Sequence, residues 1–470
     1  MGASITLSLL LLALAFLAVP VGRKLTGDYY PPSVLIVATW TATMSLYFLQ
    51  VIPYADLAPS TFAFIMAAIA ILAVTSHAGQ RLWQRARPAG RPTTFSPDAW
   101  LMGMSVAALV GVAWYVWSVS GVLGFSAFYD RPARIRIGIG DGSIPSRFLV
   151  LQYLCIATPI TALAFDLSGV KIRPAVWVAV ILATLGTWIT TDRTQFFLVA
   201  LTCYFMYVLA RGRTFSYAKL ALSTIALLLT LGAYFLIIGV WMSKSPANLG
   251  VEVRVPTVSA PPPRLVIQNP TGARVPASTA TRAERTAVER TLLKNLQRVS
   301  TIYLYATASY AALDVLLANP QPRTYGAHSV FPVARFLDRL GLVPGGVPQA
   351  IPPFAPLGLT SGQDITFNAY TFLYYPLVDF GLLGALFYCV AIGLLSGFVY
   401  GRFAEQRSSP FWLLAMGHLS AALVLSVFVN KFNNTATWYI VLWSFAPFIV
   451  ARLAPWSRVN AGPASGAAGR

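Results

Sequence analysis

Apolar residues fill most of this chain in long, nearly unbroken stretches. A bilayer-spanning helix needs about 20 mostly apolar residues. Eleven stretches of roughly that length lie at 4–22, 32–54, 60–77, 99–120, 147–166, 174–190, 194–210, 218–242, 372–400, 410–429 and 435–453. Hydrophobic residues make up 57% of the chain and charged residues only 10%, which is too little charge for a water-facing surface. The pattern predicts an all-α, polytopic integral membrane protein with about eleven transmembrane helices.

The short connections between these stretches differ in charge. Lys and Arg accumulate in cytoplasmic loops, so their distribution predicts the orientation of the chain. Basic residues cluster in alternate connections, as in Arg23 and Lys24, in residues 78–98 and in residues 402–407. Placing these connections inside puts the N-terminus outside and the C-terminus in the cytoplasm. The first stretch has no basic residues before it, so we interpret it as a retained helix and not as a signal peptide.

One connection is far longer than the rest and divides the chain. Residues 1–242 form a predicted bundle of eight helices, 243–371 a long extracytoplasmic loop, 372–453 three further helices and 454–470 a cytoplasmic tail. The loop starts with a segment rich in Pro, Val and Ser, typical of a linker. Residues 281–318 have helical spacing and predict one or two amphipathic helices on the outer membrane surface.

Several kinds of chemistry leave no trace in the sequence. The three cysteines, Cys155, Cys203 and Cys389, lie in separate apolar stretches, so no disulfide framework or metal site is predicted. There is no Gly-rich phosphate loop, no His-Glu-x-x-His motif and no Asp-x-Asp clamp. We therefore expect no cofactor, no bound metal, no nucleic-acid partner and no cytosolic nucleotide site.

The outward loop 121–147 is unusually basic. It contains Arg131, Arg134, Arg136 and Arg147 on the side where the orientation rule predicts few positive charges. Arginine binds phosphate well because its planar fork donates two hydrogen bonds at once and stays protonated. The cluster predicts a site for an anionic group. Contact with lipid phosphates is the alternative interpretation.

Asp192 and Arg193 lie together in a short turn between two apolar stretches. Charged residues close to the membrane interior are costly and usually face a polar cavity or a partner. We therefore take both residues as candidate site residues, the arginine for an anion and the aspartate for substrate positioning. A simple interfacial turn would explain the same pattern.

Two segments near the end of the long loop add further candidates. The first places Arg323, Tyr325, His328 and Arg335 close together, and a histidine can act as a base near neutral pH. The second has Asp379 as a lone carboxylate in an aromatic, apolar stretch, where it is a second candidate base. A structural histidine, and a capping or packing carboxylate near Gly381, are the alternatives.

These segments resemble a known enzyme family. The T-x-R turn at residues 191–193, the loop ending in RTYGAHSVFP and the following NAYTFLYYPLVDFGLLGALFYCVAIGLLSGFVYGR are similar to sequences of Wzy-type oligosaccharide repeat-unit polymerases. The resemblance is concentrated in residues 320–400. These polymerases make O-antigen, capsule and exopolysaccharide in the bacterial cytoplasmic membrane.

The resemblance implies a multi-pass glycosyltransferase that acts on polyprenyl-diphosphate-linked oligosaccharides at the outer face of the membrane. Arginines would stabilise the diphosphate leaving group without a metal, since a developing negative charge needs preorganised donors. The candidate diphosphate ligands are Arg131, Arg134, Arg136, Arg193, Arg323 and Arg335, with Tyr325 and Asp192 positioning substrate. Asp379 or His328 would take the proton from the acceptor hydroxyl. Membrane lipids, a flippase and a chain-length regulator are the expected partners.

Two other functions fit parts of the sequence. An O-antigen ligase, or a transferase that uses polyprenyl-phosphate sugars, would share the chemistry and differ in acceptor or donor. A transporter of lipid-linked oligosaccharides would share the membrane architecture. Transporters carry charges on helices in mid-membrane. Here the charges gather in loops on one side, which favours surface chemistry.

Overall fold

Helices form in each of the eleven predicted apolar stretches. The computed structural model describes residues 2–52, 54–84, 96–130, 134–135, 144, 149–189, 193–241, 303–304, 306–319, 322–339, 341–342, 355–358, 364–367 and 370–453. The helices are α1 (Gly2–Thr26), α2 (Pro32–Phe48), α3 (Pro59–Gln84), α4 (Pro97–Leu123), α5 (Ala127–Asp130), α6 (Leu149–Gln152), α7 (Leu154–Leu167), α8 (Pro174–Ile189), α9 (Arg193–Arg211), α10 (Tyr217–Trp241), α11 (Ala306–Ala318), α12 (Phe331–Arg339), α13 (Tyr374–Glu405), α14 (Pro410–Leu425) and α15 (Thr435–Leu453).

Length and composition make this a multi-pass membrane protein. Among the described helices, six are long and apolar enough to cross a bilayer. They are Ser4–Thr26, Pro59–Trp83, Pro97–Leu123, Val150–Leu167, Tyr217–Tyr234 and Tyr374–Glu405. Helices satisfy all backbone hydrogen bonds within one segment, which is the requirement for crossing hydrocarbon. The count of eleven spans and the outside position of the N-terminus stay predictions.

The predicted surface helices at residues 281–318 are described only in their last part, which contains α11, and α11 lies in the core of the bundle. Residues 281–302 fall outside the described residues, and α11 packs into the bundle core, so the predicted surface position is wrong for 306–318. Tyr310 is fully buried, and its hydroxyl donates to the carbonyl of Trp40 at 3.1 Å. The hydroxyls of Tyr54 and Thr307 share a hydrogen bond of 3.0 Å. Small residues and satisfied hydroxyls let this helix replace lipid contacts with protein contacts.

A short hairpin is an addition to the predicted all-α fold. Strands β1 (Ala355–Gly358) and β2 (Asp364–Phe367) pair antiparallel, with Ala355 opposite Phe367 and Gly358 opposite Asp364. Antiparallel strands of this length can be joined by a tight connection. The hairpin lies in the long segment and precedes α13 in the chain.

The three cysteines, Cys155, Cys203 and Cys389, form no disulfide bond in the structure.

Helix α13 packs closely against helix α3. Gly393, Gly397 and Gly401 recur every four residues and so lie on one face of α13. A Cβ atom on Gly397 would lie 1.9 Å from the carbonyl oxygen of Ser76, and one on Gly393 would lie 2.9 Å from that of Leu72. These distances are too short for any side chain. Glycine therefore allows the two backbones to touch, the usual way that membrane helices gain packing energy.

One end of the bundle is joined by ionic contacts. Asp28, which is 4% exposed, lies between α1 and α2. Its carboxylate accepts a hydrogen bond of 2.7 Å from Tyr400, lies 3.6 Å from Nε of Arg213 and pairs with Arg407. A buried carboxylate is stable only with such partners. The residues come from three connections that the charge pattern assigns to the cytoplasmic side, and the orientation of the helices stays a prediction.

We expect Gly397→Val to destabilise the protein, because its side chain would collide with the backbone of α3. Overpacking a well-packed contact costs about 1–3 kcal/mol. Gly103→Val is the matched control, since a Cβ atom on Gly103 meets nothing within 4 Å. Thermal unfolding of the purified variants in detergent measures the difference. Equal melting temperatures for the two variants would contradict the packing of α3 against α13.

Candidate functional site

A buried carboxylate fastens the end of the long segment to the start of α13. Asp379 is fully buried, yet three donors reach it from residues 324–329. Its Oδ1 accepts from the hydroxyl of Thr324 and, at 3.3 Å, from the backbone N–H of His328. Its Oδ2 accepts from the backbone N–H of Ser329 at 2.5 Å. Hydrogen bonds to a charged acceptor are the stronger kind, so Asp379 holds this turn in one position.

A break in α13 completes the attachment. Gly381 has φ 73° and ψ −169°, a conformation outside the helical region that favours glycine. The carbonyl oxygen of Asp379 instead accepts the backbone N–H of Tyr325 at 3.2 Å. Helix α13 therefore consists of a short first part and a long second part. The turn at residues 322–330 lies against the break.

The same glycine makes room for an arginine. A Cβ atom on Gly381 would lie 3.1 Å from Nη2 of Arg323, so the guanidinium stands directly against this glycine. Arg323 is exposed, and its charge stands beside the first residues of the long second part of α13. A helix start and a guanidinium group both favour a negative charge. The local geometry can therefore bind an anion.

Tyr325 projects from the turn in an uncommon backbone conformation. Its φ is 48°, and 83% of the residue is exposed. Left-handed backbone at a residue other than glycine is rare and often occurs at functional sites. The next residue, Gly326, also has a positive φ, and a Cβ atom there would lie 3.1 Å from the ring of Phe380. The turn thus exposes the aromatic ring of Tyr325 at the protein surface, two residues after Arg323.

His328 lies on the inner side of the same turn. Burial lowers the pKa of its imidazole below the ordinary value, and the charge of Asp379 opposes this only in part. The ring nitrogen Nδ1 is buried without a hydrogen-bond partner among the described residues. The side chain of Asn433 donates to the carbonyl of His328 at 3.1 Å. His328 is therefore held in place and is neutral near pH 7, the form of a histidine that accepts a proton.

Four predicted site residues come together here, although they lie on two distant sequence segments: Arg323, Tyr325, His328 and Asp379. Arg134 is exposed, and no contact joins it to this turn among the described residues. Arg131, Arg136 and Asp192 lie outside the described residues. Arg193 begins α9 and Arg335 lies in α12, but their side chains also lie outside the described part.

The structure adds residues that sequence reasoning missed. Thr324 and Ser329 supply donors to Asp379, and Asn433 supports the backbone of His328. The sequence pointed to none of these three residues. Of the residues around Asp379, it indicated only Gly381, the glycine two positions after the lone carboxylate. The contacts of Asp379 match the packing alternative, because both of its oxygens are occupied by donors from the turn. A catalytic role for Asp379 stays a prediction.

Comparison of the chain with models of protein families, with curated proteins and with solved structures finds no match. Within the part of the chain that the structure describes, no group of three or more His, Cys, Asp and Glu side chains could hold a metal ion.

We expect Asp379→Ala to release the turn at residues 322–330. Loss of hydrogen bonds to a charged group costs about 1.5–3 kcal/mol each. Hydrogen–deuterium exchange of the amides of His328 and Ser329 should therefore accelerate by at least about tenfold. Thr324→Val removes one donor and keeps the carboxylate, so it should have a smaller effect. Unchanged exchange in Asp379→Ala would show that the carboxylate does not hold the turn.

Proposed function

We propose that this protein is a membrane glycosyltransferase that polymerises polyprenyl-diphosphate-linked oligosaccharide repeat units at the outer face of the bacterial cytoplasmic membrane. One observation carries the proposal. The Asp379 attachment gathers an exposed arginine, an exposed aromatic ring and a neutral histidine on one turn. These are the groups that an oligosaccharide diphosphate donor and a hydroxyl acceptor require. The turn belongs to the segment that resembles the polymerases.

Arg323 would bind the diphosphate of the donor. The bond between the sugar C1 and the diphosphate oxygen breaks during transfer, and the departing polyprenyl diphosphate gains negative charge. A guanidinium beside the break in α13 would stabilise that charge, and such donors make the largest single contribution to many reactions of this kind. The guanidinium lies next to that break, with Nη2 3.1 Å from the Cβ position of Gly381. Arg131, Arg134, Arg136, Arg193 and Arg335 remain the further candidates for the same anion.

His328 would accept the proton of the acceptor hydroxyl. The hydroxyl oxygen of the acceptor sugar forms the new bond to C1 while its proton passes to the imidazole. Neutral His328 can take that proton, and the hydrogen bond from Asn433 fixes its backbone. Asp379 acts through the position of the turn in this scheme. Tyr325 would pack its exposed ring against a sugar, a face that aromatic side chains suit.

The proposed reaction needs other proteins of the same pathway. Substrate would reach the site from the outer leaflet after a flippase has turned it over, and a chain-length regulator would act on the product. An O-antigen ligase would use the same donor and the same leaving group. The acceptor alone separates it from a polymerase, so the assay has to identify the product.

Purified protein in proteoliposomes, supplied with a lipid-linked repeat unit, should lengthen the chain. Arg323→Ala should lower the rate by about 100-fold, the effect of removing one preorganised donor from a developing negative charge. Arg323→Lys should restore part of it. Arg173→Ala is the control, since that exposed arginine pairs with Asp98 on the predicted cytoplasmic side. A chelator should leave the rate unchanged.

Three results would count against the proposal. Equal rates for Arg323→Ala and Arg173→Ala would remove the leaving-group assignment. Transfer to a lipid A core acceptor without chain lengthening would identify a ligase. Labelling of a cysteine at residue 325 from the cytoplasmic side would place the turn on the wrong face of the membrane.

The rate should depend on pH through His328. Its pKa is lowered, so the neutral base persists as the pH falls to 6.5, the ordinary value, and is lost only at the lower, folded-state pKa. The acid limb of kcat/KM should therefore have its midpoint below 6.5. His328→Gln should lose that limb and about 10²-fold or more in rate. A midpoint above the ordinary value, or an unchanged profile in His328→Gln, would exclude His328 as the base.

A further inference from the structure

Helix α12 exposes an apolar stripe. Val330 precedes the helix, and Val333, Phe336 and Leu337 follow at helical spacing, with exposed fractions of 51%, 42%, 60% and 37%. Residues three and four apart share one face of a helix, so these side chains form a continuous surface. Phe331, Ala334 and Asp338 lie elsewhere around the helix and are partly buried. The short helix and the residue before it therefore turn four large apolar side chains outward, and these side chains call for an apolar partner.

The position of α12 restricts what can cover that stripe. The helix follows directly on the turn that Asp379 fastens, and it contacts α15. It therefore belongs to the end of the bundle where that turn meets the start of α13. The turn that leads into α12 also touches α13, because a Cβ atom on Gly326 would lie 3.1 Å from the ring of Phe380. Helix α13 is long and apolar enough to cross a bilayer, and its Phe387 is 73% exposed. The apolar surroundings closest to the stripe are thus the acyl chains at the membrane–water boundary.

We infer that α12 is an interfacial helix whose apolar stripe enters the lipid leaflet next to the site. An amphipathic helix of this kind buries its apolar face about 5–10 Å into the boundary between headgroups and acyl chains. The sequence of α12 contains two arginines, Arg335 and Arg339, against one aspartate, Asp338. A positive excess adds electrostatic attraction between an interfacial helix and anionic lipids. The occupant of the stripe is therefore bilayer lipid.

This placement has a consequence for the site, which rests on the proposed function. Helix α12 begins at Phe331, directly after the turn that contains Arg323, Tyr325 and His328. Backbone hydrogen bonds join the two, since the N–H of Phe331 donates to the carbonyl of His328 at 3.3 Å. A stripe seated among acyl chains would hold that turn at the level of the headgroups. The diphosphate of a polyprenyl-linked substrate lies at the same level. The lipid surface would then set the height of Arg323 relative to its substrate.

Spin labels test the inference without reference to catalysis. The label is placed at Phe336→Cys in full-length protein reconstituted into vesicles of phosphatidylethanolamine and phosphatidylglycerol. Phe387→Cys marks the hydrocarbon, because it is exposed on a long apolar helix, and Asp56→Cys marks water, because it is an exposed loop residue. Unmutated protein, whose three cysteines lie within helices, gives the background signal.

The expected result is a label at residue 336 that oxygen reaches and a water-soluble nickel complex does not. Its depth should be about 5–10 Å below the headgroup boundary, between those of the two reference labels. A label at residue 336 as open to nickel as residue 56 would overturn the inference. So would protection that occurs only after polyprenyl phosphate is added, or only at high protein density, since these mean a substrate tail or a second copy.

A second pair of variants covers the case in which the label disturbs the helix. Phe336→Asp should raise the nickel accessibility of a label at Val333→Cys several-fold, and Phe336→Leu should leave it unchanged. An effect of equal size in both would overturn the inference. If the depth is as expected while chain lengthening is absent, the lipid contact stands and the proposed function falls.

Discussion

The direct contact between α3 and α13 is the constraint on which the rest of the structure depends. Lipid is as apolar as the helix surfaces, so helices in a bilayer gain little by burying apolar side chains and must gain by close packing. The glycines at 393, 397 and 401 remove the side chains that would separate the two backbones. Helix α13 is thereby held along most of its length. The segments that contact the two ends of α13 are therefore positioned relative to a helix that is itself held in place.

The two ends of α13 use opposite chemistry. At the predicted cytoplasmic end, Tyr400 and Arg407 meet the buried carboxylate of Asp28, which ties three connections together. At the other end, the buried carboxylate of Asp379 binds neutral donors from a single turn. In both places one acidic side chain is fully used by its partners. Such carboxylates fix geometry, because leaving any donor unpaired would be costly.

The turn held by Asp379 shows how a fixed end of a helix becomes a site. The break at Gly381 brings Arg323 against the helix and gives the carbonyl of Asp379 a partner outside it. The same turn exposes Tyr325 and buries His328, so one segment offers a charge, a ring and a neutral base in different directions. Helix α12 extends this arrangement towards the lipid. The position of the site and the position of the membrane are therefore linked through a few residues.

The sequence by itself determined the eleven helical stretches and the multi-pass architecture, because long apolar runs have few other stable forms in a membrane. It also identified Arg323, Tyr325, His328 and Asp379 as candidates, because polar and charged side chains are costly to place near a membrane interior and stand out beside apolar stretches. Only the tertiary structure decided that these four meet, that α11 belongs to the core, and that α12 is the helix with the open apolar stripe. Those outcomes depend on contacts between segments far apart in the chain. Periodicity reports the faces of a helix but not which neighbour covers them.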